Sequence, residues 1–174
     1  LEVLRGVEEG LPAVMLNPGI ILGAADSGIS SAFVEKGLKG RKLVPKGLVP
    51  AVAAADVADA VVLALQSDFE KGERFILVGE EDMMPALFDF LAKLGGNPTK
   101  QIILPDWFIR FTARFLALFN PFYSSSPFIT PETAKSATHQ FHYDNIRSRE
   151  ELGLQYRDLK SWLHDDIQQR RSDK

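Results

Sequence analysis

Few side chains in this 174-residue sequence are spaced for chemistry, and each group also has an ordinary structural explanation. His139 and His142 lie three residues apart, so both could face one metal ion from a helix. A metal site needs a third ligand with suitable geometry, and the sequence assures none, so we predict no metal site. Asp56 and Asp59 stand at the start of a predicted helix. We interpret them as an N-cap and a first-turn charge, not as a catalytic pair, because a capping carboxylate is already occupied.

The stretch LPAVMLNPGIILG, residues 11–23, is the stronger candidate for a binding site. Proline cannot donate to a sheet ladder, so Pro18 and Gly19 are expected at the end of a strand. In open α/β sheets, ligands bind just beyond the carboxyl ends of strands, and a Pro-Gly pair there exposes a rigid backbone corner that a flat ring can approach closely. A plain turn that ends the strand explains the same residues, and the spacing alone leaves both interpretations open.

The segment WFIRFTARFLALFNPFY, residues 107–123, repeats an aromatic residue every fourth position from Trp107 to Phe119. Arg110 and Arg114 stand between these aromatic residues. One interpretation is a helix packed on a small domain through aromatic core contacts. The others are a lid over a bulky apolar substrate and a basic-aromatic face that lies on a membrane surface. The segment is too short to span a bilayer.

A cluster of five cations falls within eleven residues: Lys36, Lys39, Arg41, Lys42 and Lys46. Such a run is usually a solvated loop. The alternative is a contact to a phosphate of a substrate or cofactor, since Lys and Arg serve there as a point charge or a fork.

Strands that alternate with helices must position these residues, and the alternation predicts an α/β fold. We predict strands over residues 12–17, 74–78 and 101–104, a loop over 41–50, and helices over 27–39, 56–67, 83–94, 106–119, from Thr130, 144–152 and 159–169. The helix that starts at Asp56 is expected to turn Val57, Ala60, Val61, Ala64 and Leu65 inward. Residues 1–9 have the pattern of a helix already under way, so we expect the chain to be a fragment of a longer protein.

Composition sets broad limits on function. Hydrophobic residues make up 45% and charged residues 25%, which is typical of a soluble globular protein. The net charge of −3 gives no reason to expect a nucleic-acid partner. The absence of cysteine fits a reducing compartment, no apolar run is long enough to cross a membrane, and we expect a cytoplasmic location.

Four segments in this order resemble the C-terminal half of an extended short-chain dehydrogenase/reductase: LPAVMLNPGIILG, ADVADAVVLAL, GERFILVGEE and YDNIRSREELGLQYRDLKSWLHDDI. These enzymes are the NAD(P)-dependent epimerase/dehydratase relatives, which include dihydroflavonol reductases and 3-beta-hydroxysteroid dehydrogenases. The resemblance covers nearly the whole chain. It implies the C-terminal part of a Rossmann-type doubly wound sheet over residues 1–80, with an inserted basic loop over 27–50, and a small, mostly helical substrate domain over 81–174.

In that family the Asn-Pro-Gly corner lies against the nicotinamide ring. The resemblance therefore assigns Asn17, Pro18, Gly19 and Ile20 to the nicotinamide end of NAD or NADP. It also implies that the parent protein is a homodimer.

Two motifs of the family are absent from these 174 residues. The glycines at 37, 40 and 47 do not follow a strand into a helix, so they do not form the phosphate-binding glycine-rich turn. The family's Tyr-x-x-x-Lys pair needs a phenol whose pKa is lowered by a nearby ammonium, and the nearest match, Tyr143 to Arg147, lacks the lysine. We therefore predict no catalytic residue in this chain and expect the true pair upstream, in the helix that ends near residue 9.

The resemblance predicts that the parent is an NAD(P)-dependent oxidoreductase that transfers hydride between nicotinamide and a carbonyl or hydroxyl carbon of a small apolar substrate. The fragment itself is expected to be inactive without its N-terminal half. Phe33, Trp107 and Phe111 are the candidate substrate contacts. Two alternatives stay open: a sugar-nucleotide epimerase or dehydratase, and a non-catalytic interaction or redox-sensing module with the same fold.

Overall fold

The computed structural model describes residues 2–23, 29–67, 72–118 and 141–172. Helices and strands alternate along these residues, which confirms the predicted α/β class. The helices are α1 (Glu2–Glu8), α2 (Ile29–Leu38), α3 (Ala54–Gln66), α4 (Met84–Leu94), α5 (Asp106–Leu118), α6 (Ile146–Glu150) and α7 (Leu159–Ser172). The strands are β1 (Met15–Pro18), β2 (Ile20–Leu22), β3 (Leu43–Pro45), β4 (Leu48–Ala53), β5 (Arg74–Leu77), β6 (Glu80–Met83) and β7 (Ile102–Leu104).

The strands pair mainly in parallel. β1 pairs with β5 in a register that sets Met15 beside Arg74 and Pro18 beside Leu77. β2 pairs with β4, β3 pairs with β7, and β6 adds to the free edge of β4. Parallel neighbours require long crossover connections, and α3 lies on the chain between β1 and β5.

The chain divides into two compact units. Unit 1 comprises Leu1–Ser31, Pro50–Glu80 and His142–Lys174, and unit 2 comprises Ala32–Val49 and Glu81–Phe141. This division differs from a linear split after residue 80, because the carboxyl-terminal segment returns to β5 and the segment that carries α2 and β3 packs with α4 and β7.

The core of unit 1 forms around β5, where Phe75 and Leu77 are fully buried. Ala60 from α3 and Leu152 and Leu154 from the carboxyl-terminal segment complete this cluster. Full burial of a side chain such as Phe or Leu stabilises a fold by about 1.5–3 kcal/mol. The carboxyl-terminal segment is therefore an integral part of unit 1.

Unit 2 is held by close packing between α2 and α4. Phe33 and Phe88 meet with ring centroids 4.8 Å apart. A Cβ placed on Gly37 would lie within 3.0 Å of the Leu91 side chain, so a glycine is needed where the two helices approach. The helix α4 spans nearly the predicted residues and ends at Gly95.

Several predictions about local structure are corrected. Residues 41–50 were expected to form a loop, but they contain β3 and the first half of β4, and β6 was not predicted. Helix α3 begins at Ala54, two residues before the predicted cap. Two residues expected inward on α3 point outward, since Val61 is 43% and Leu65 81% exposed. The helix expected from Thr130 lies outside the described residues.

Asp56 is not a helix cap. It lies inside the first turn of α3, is 1% exposed, and accepts hydrogen bonds from the guanidinium and the backbone N–H of Arg157. Asp59 accepts a second bond from the same guanidinium at 2.8 Å. These bonds raise the pKa of Arg157. The two carboxylates thus fasten the carboxyl-terminal segment to α3, because a buried carboxylate requires a partner for its charge.

Candidate functional site

Pro18 and Gly19 form a hydrogen-bonded corner at the end of β1 in unit 1. β1 ends at Pro18, β2 begins at Ile20, and the Gly19 N–H donates to the carbonyl oxygen of Leu77 at 3.0 Å. Since β1 and β5 are parallel and Pro18 lies beside Leu77, the corner lies at the carboxyl ends of both strands. This is where open α/β sheets place ligands.

A pocket of about 780 Å³ opens at this corner. Its lining belongs entirely to unit 1: Asn17, Pro18, Gly19, Ile20, Pro50, Arg74, Ile76, Val78, Tyr143, Asp144 and Arg147. The structure thus brings together all four residues that the sequence assigned to the nicotinamide end. Their role toward a cofactor stays a prediction.

The opposite wall of the pocket was not predicted. Tyr143 and Asp144 come from the segment that precedes α6, and sequence reasoning treated Tyr143 only as half of an imperfect Tyr-x-x-x-Lys match. The Asn145 side chain donates to the carbonyl oxygen of Val78 at 2.6 Å, which fastens this segment to the end of β5. Asp144 accepts the backbone N–H of Ile146 at 2.8 Å and so begins the turn into α6.

A buried hydroxyl network supports that wall from behind. The Ser148 hydroxyl donates to the carbonyl oxygen of Asn145 at 2.7 Å and lies 2.7 Å from the Tyr156 hydroxyl. Burial raises the pKa of Tyr156. Through its bonds to Ser148 and to the Ile76 carbonyl oxygen, the Tyr156 hydroxyl ties the carboxyl-terminal segment to β5.

The charge of Arg147 is already balanced. Its guanidinium bonds Glu151 at 2.6 and 2.8 Å and also Glu73, and these bonds raise the pKa of Arg147 and lower that of Glu151. A guanidinium held by two carboxylates offers little attraction to a phosphate. The remaining wall is largely apolar, with Pro18 and Ile76 among its residues. Arg74 and Asp144 also line the pocket and are exposed, so the part that suits a flat ring is the apolar part around Pro18 and Ile76.

The three candidate substrate residues belong to unit 2 and do not line this pocket. Phe33 packs on Phe88. Trp107 is 69% and Phe111 64% exposed. No observation connects them to a substrate, so their role also stays a prediction.

Most of the basic cluster is exposed. Lys39 is exposed but pairs with Glu35 at 2.6 Å and lowers the pKa of that carboxyl, and Arg41 and Lys42 are also exposed. Within the described residues, no group of three His, Asp or Glu side chains is placed to hold a metal ion, and His139 lies outside them. The described helices include none that is long and apolar enough to cross a membrane.

Comparisons with known proteins identify structures that share this fold. The chain matches no known protein-family profile and no curated protein. It resembles the crystal structure of gox2253, with 24% identity and a TM-score of 0.77 over 99% of this chain and 53% of that one. It also resembles PA4631 from Pseudomonas aeruginosa, described as a nucleoside-diphosphate-sugar epimerase, with 24% identity and a TM-score of 0.70 over 99% and 52%. A third similar structure is dTDP-glucose 4,6-dehydratase from Streptomyces venezuelae with NAD bound, at 14% identity and a TM-score of 0.64 over 98% and 47%.

These likenesses establish the fold. The chain has the fold of about half of an epimerase/dehydratase protein and spans about half the length of the structures it matches. The predicted resemblance to this Rossmann-type class is confirmed at the level of the fold.

Proposed function

We propose that this chain forms the nicotinamide-side wall of an NAD(P)-dependent oxidoreductase of the extended short-chain dehydrogenase/reductase type. The observation that supports the proposal is the pocket at the carboxyl ends of β1 and β5, formed around the corner Asn17–Ile20. The fold of proteins such as the NAD-bound dehydratase supports the same cofactor class.

The chemistry of the pocket fits this role. A nicotinamide ring is flat and carries a carboxamide, and it would pack on Pro18 and Ile20 beside the amide side chain of Asn17. Apolar walls beside the ring would reduce its contact with water, which protects a hydride donor from side reactions. When bound, the cofactor supplies the hydride, and the residues of this chain bind and orient its ring.

Proton transfer has to come from elsewhere. These 174 residues contain no Tyr-x-x-x-Lys pair. We therefore expect this chain alone not to catalyse. A longer polypeptide that carries it should contain the glycine-rich turn and the Tyr-x-x-x-Lys pair upstream of residue 1, and the absence of both would favour a non-catalytic interaction module.

Nicotinamide mononucleotide tests the assignment, with AMP as the matched control. Each ligand carries one base, one ribose and one phosphate, so they differ only in the base. We expect nicotinamide mononucleotide to shift the NMR amide signals of Asn17, Gly19 and Ile20, and AMP to leave them unchanged. Binding should be weak, on the order of millimolar, because so small a ligand makes few contacts.

Three results would contradict the proposal. One is the absence of shifts at the corner with nicotinamide mononucleotide, and another is an equal response to AMP. The third is tight binding of NADPH by this chain alone, because the residues that should hold the pyrophosphate are outside it.

A sugar-nucleotide epimerase or dehydratase is the second candidate, and it would use the same nicotinamide pocket. The descriptions of PA4631 and of the dehydratase favour it. The exposed cations Arg41 and Lys42 would then contact the diphosphate. Replacing both by glutamine should weaken binding of UDP-glucose, whereas Lys39→Gln should not, because the Lys39 ammonium already pairs with Glu35.

A further inference from the structure

Helix α5 in unit 2 presents aromatic side chains to solvent. We call Trp107, Phe108, Phe111 and Phe115 the aromatic stripe. Their exposed fractions are 69%, 43%, 64% and 54%. The Phe111 and Phe115 rings are nearly parallel, with centroids 6.4 Å apart. An ordinary packed helix buries its aromatic residues, and α5 does the reverse.

The helical period places the stripe on one arc of α5. At about 100° per residue, the four aromatic side chains fall within an arc of about 100°. The buried side of the helix is marked by Ala113, which is 1% exposed. That residue lies at least about 120° from every member of the stripe. The stripe is therefore a convex ridge that points away from unit 2.

Positive charge borders this ridge. Arg110 and Arg114 lie along one edge of the stripe, both are exposed, and neither forms an ion pair within the part of the chain that the structure describes. Their local charge contrasts with the net charge of −3 for the whole chain. An arginine at the edge of an apolar face can lay its stem along that face and extend its guanidinium to a phosphate.

Exposed apolar residues continue on the strands that precede the helix. Leu43 on β3 pairs with Ile102 on β7, and these side chains are 56% and 58% exposed. Arg41 and Lys42, both exposed, come directly before Leu43. Unit 2 thus repeats the combination of exposed apolar and basic residues on a second element.

We propose that α5 is a membrane-surface helix that binds anionic phospholipid, with the aromatic stripe buried at the boundary of headgroups and acyl chains and the two arginines on lipid phosphates. Amphipathic helices bind in this way through apolar area and attraction to anionic lipid. A protein partner would have to offer a groove for a convex ridge, whereas a bilayer accepts one directly. At 13 residues with two arginines, α5 is too short and too charged to span.

Tryptophan fluorescence of the full 174-residue chain tests the proposal. The sequence contains two tryptophans, so Trp162→Phe leaves Trp107 as the only reporter. We expect vesicles of equal parts phosphatidylcholine and phosphatidylglycerol to shift the Trp107 emission to the blue, and brominated phosphatidylcholine within them to quench it. Pure phosphatidylcholine vesicles should bind at least about tenfold more weakly.

Two pairs of variants separate the contributions. Arg110→Gln with Arg114→Gln should weaken vesicle binding about 30-fold. Each cation near an anionic surface contributes about fivefold, and the two factors multiply. Arg170→Gln with Arg171→Gln on α7 removes the same charge elsewhere and should change binding less than twofold.

For the apolar contribution, Phe111→Ser should weaken binding at least about tenfold, because it removes one large side chain from the buried face. Val62→Ser on α3, which alters another exposed apolar side chain, is the matched control. All these positions are exposed, so the variants should keep the native circular dichroism spectrum.

Three outcomes would overturn the proposal. The first is no blue shift and no quenching with anionic vesicles. The second is equal binding to vesicles with and without phosphatidylglycerol. The third is a dimer in sedimentation velocity without lipid that Phe111→Ser dissociates, because the stripe would then be an interface between copies of this chain.

Discussion

Replacing Gly19 by alanine should destabilise the chain by about 1–2 kcal/mol. A Cβ built on Gly19 would lie within 3.0 Å of the carbonyl oxygen of Pro50, a separation that real Cβ atoms do not show. It would also lie 3.1 Å from the Pro50 carbonyl carbon and from Cγ2 of Val78. The backbone conformation is not the cause, since Gly19 is not among the glycines with positive φ.

The magnitude follows from what would have to move. To reach an ordinary contact of 3.4 Å, the Pro50 carbonyl carbon and the Val78 methyl must each retreat by 0.3 Å, and the oxygen by more. The backbone of β4 resists, because the Gly79 N–H donates to the Ala51 carbonyl oxygen at 2.9 Å and β4 is in register with β2. Overpacking of this kind costs about 1–3 kcal/mol. The lower entropy of the unfolded chain with alanine offsets about 0.4–1 kcal/mol of that cost.

Urea unfolding of Gly19→Ala beside Gly23→Ala measures this effect. A Cβ on Gly23 would lie 3.2 Å from the Ala54 Cβ and 3.5 Å from the Trp162 ring, so that variant should stay within about 0.5 kcal/mol of the parent chain. The thermal midpoint of Gly19→Ala should fall by about 2–8 °C. The steric argument is refuted if Gly19→Ala is as stable as Gly23→Ala.

Three further variants test the interactions of the carboxyl-terminal segment. Asp56→Asn should lower the free energy of unfolding in urea by about 2–3 kcal/mol, because it weakens the pair between a buried carboxylate and Arg157. Asp59→Asn removes the exposed carboxylate that bonds the same guanidinium and should cost less than about 1 kcal/mol. Equal losses for both variants would contradict this account. Tyr156→Phe should cost about 1 kcal/mol at neutral pH through the lost bond to Ser148. Since the folded-state pKa of Tyr156 is raised above about 10, its contribution is complete below pH 10 and is lost as the pH rises through the folded value, so unfolding measured from pH 9 to 12 should show a smaller alkaline loss in Tyr156→Phe. An unchanged alkaline slope would refute that assignment.

Local signals in the sequence predicted much of the fold. Helix α4 was predicted within one residue of its start, because its apolar period of 3.6 and its terminal glycine are both short-range signals. Strand β5 was predicted within one residue of its end, because a short apolar run between glycines is also a short-range signal. Elements that depend on distant partners were missed. β3 is three residues long and lies in a segment rich in Lys, Gly and Pro, so only its pairing with β7, some sixty residues later, makes it a strand.

The candidate site shows the same division. The corner at Pro18 and Gly19 could be predicted, because proline fixes the backbone angle φ and glycine widens its allowed range wherever they occur. The wall formed by Tyr143 and Asp144 could not, because its position depends on the bond from Asn145 to the Val78 carbonyl, across 67 residues of sequence. Asp56 failed as a predicted cap for a similar reason, since its partner Arg157 follows 101 residues later.

The structure also changes the reason for a glycine at the corner. Sequence reasoning explained Gly19 by the close approach of a ligand ring, but the Pro50 carbonyl already requires a residue without a side chain there. Gly19 is therefore weak evidence for a cofactor. The stronger support is the pocket at the strand ends, where Pro18, Ile20 and Ile76 offer apolar contacts to a ring. Such a pocket can hold and orient a ring, so a test of binding by the nicotinamide end addresses it more directly than any assay of turnover. The aromatic stripe lies in the other unit, and its test with vesicles succeeds or fails without regard to the cofactor.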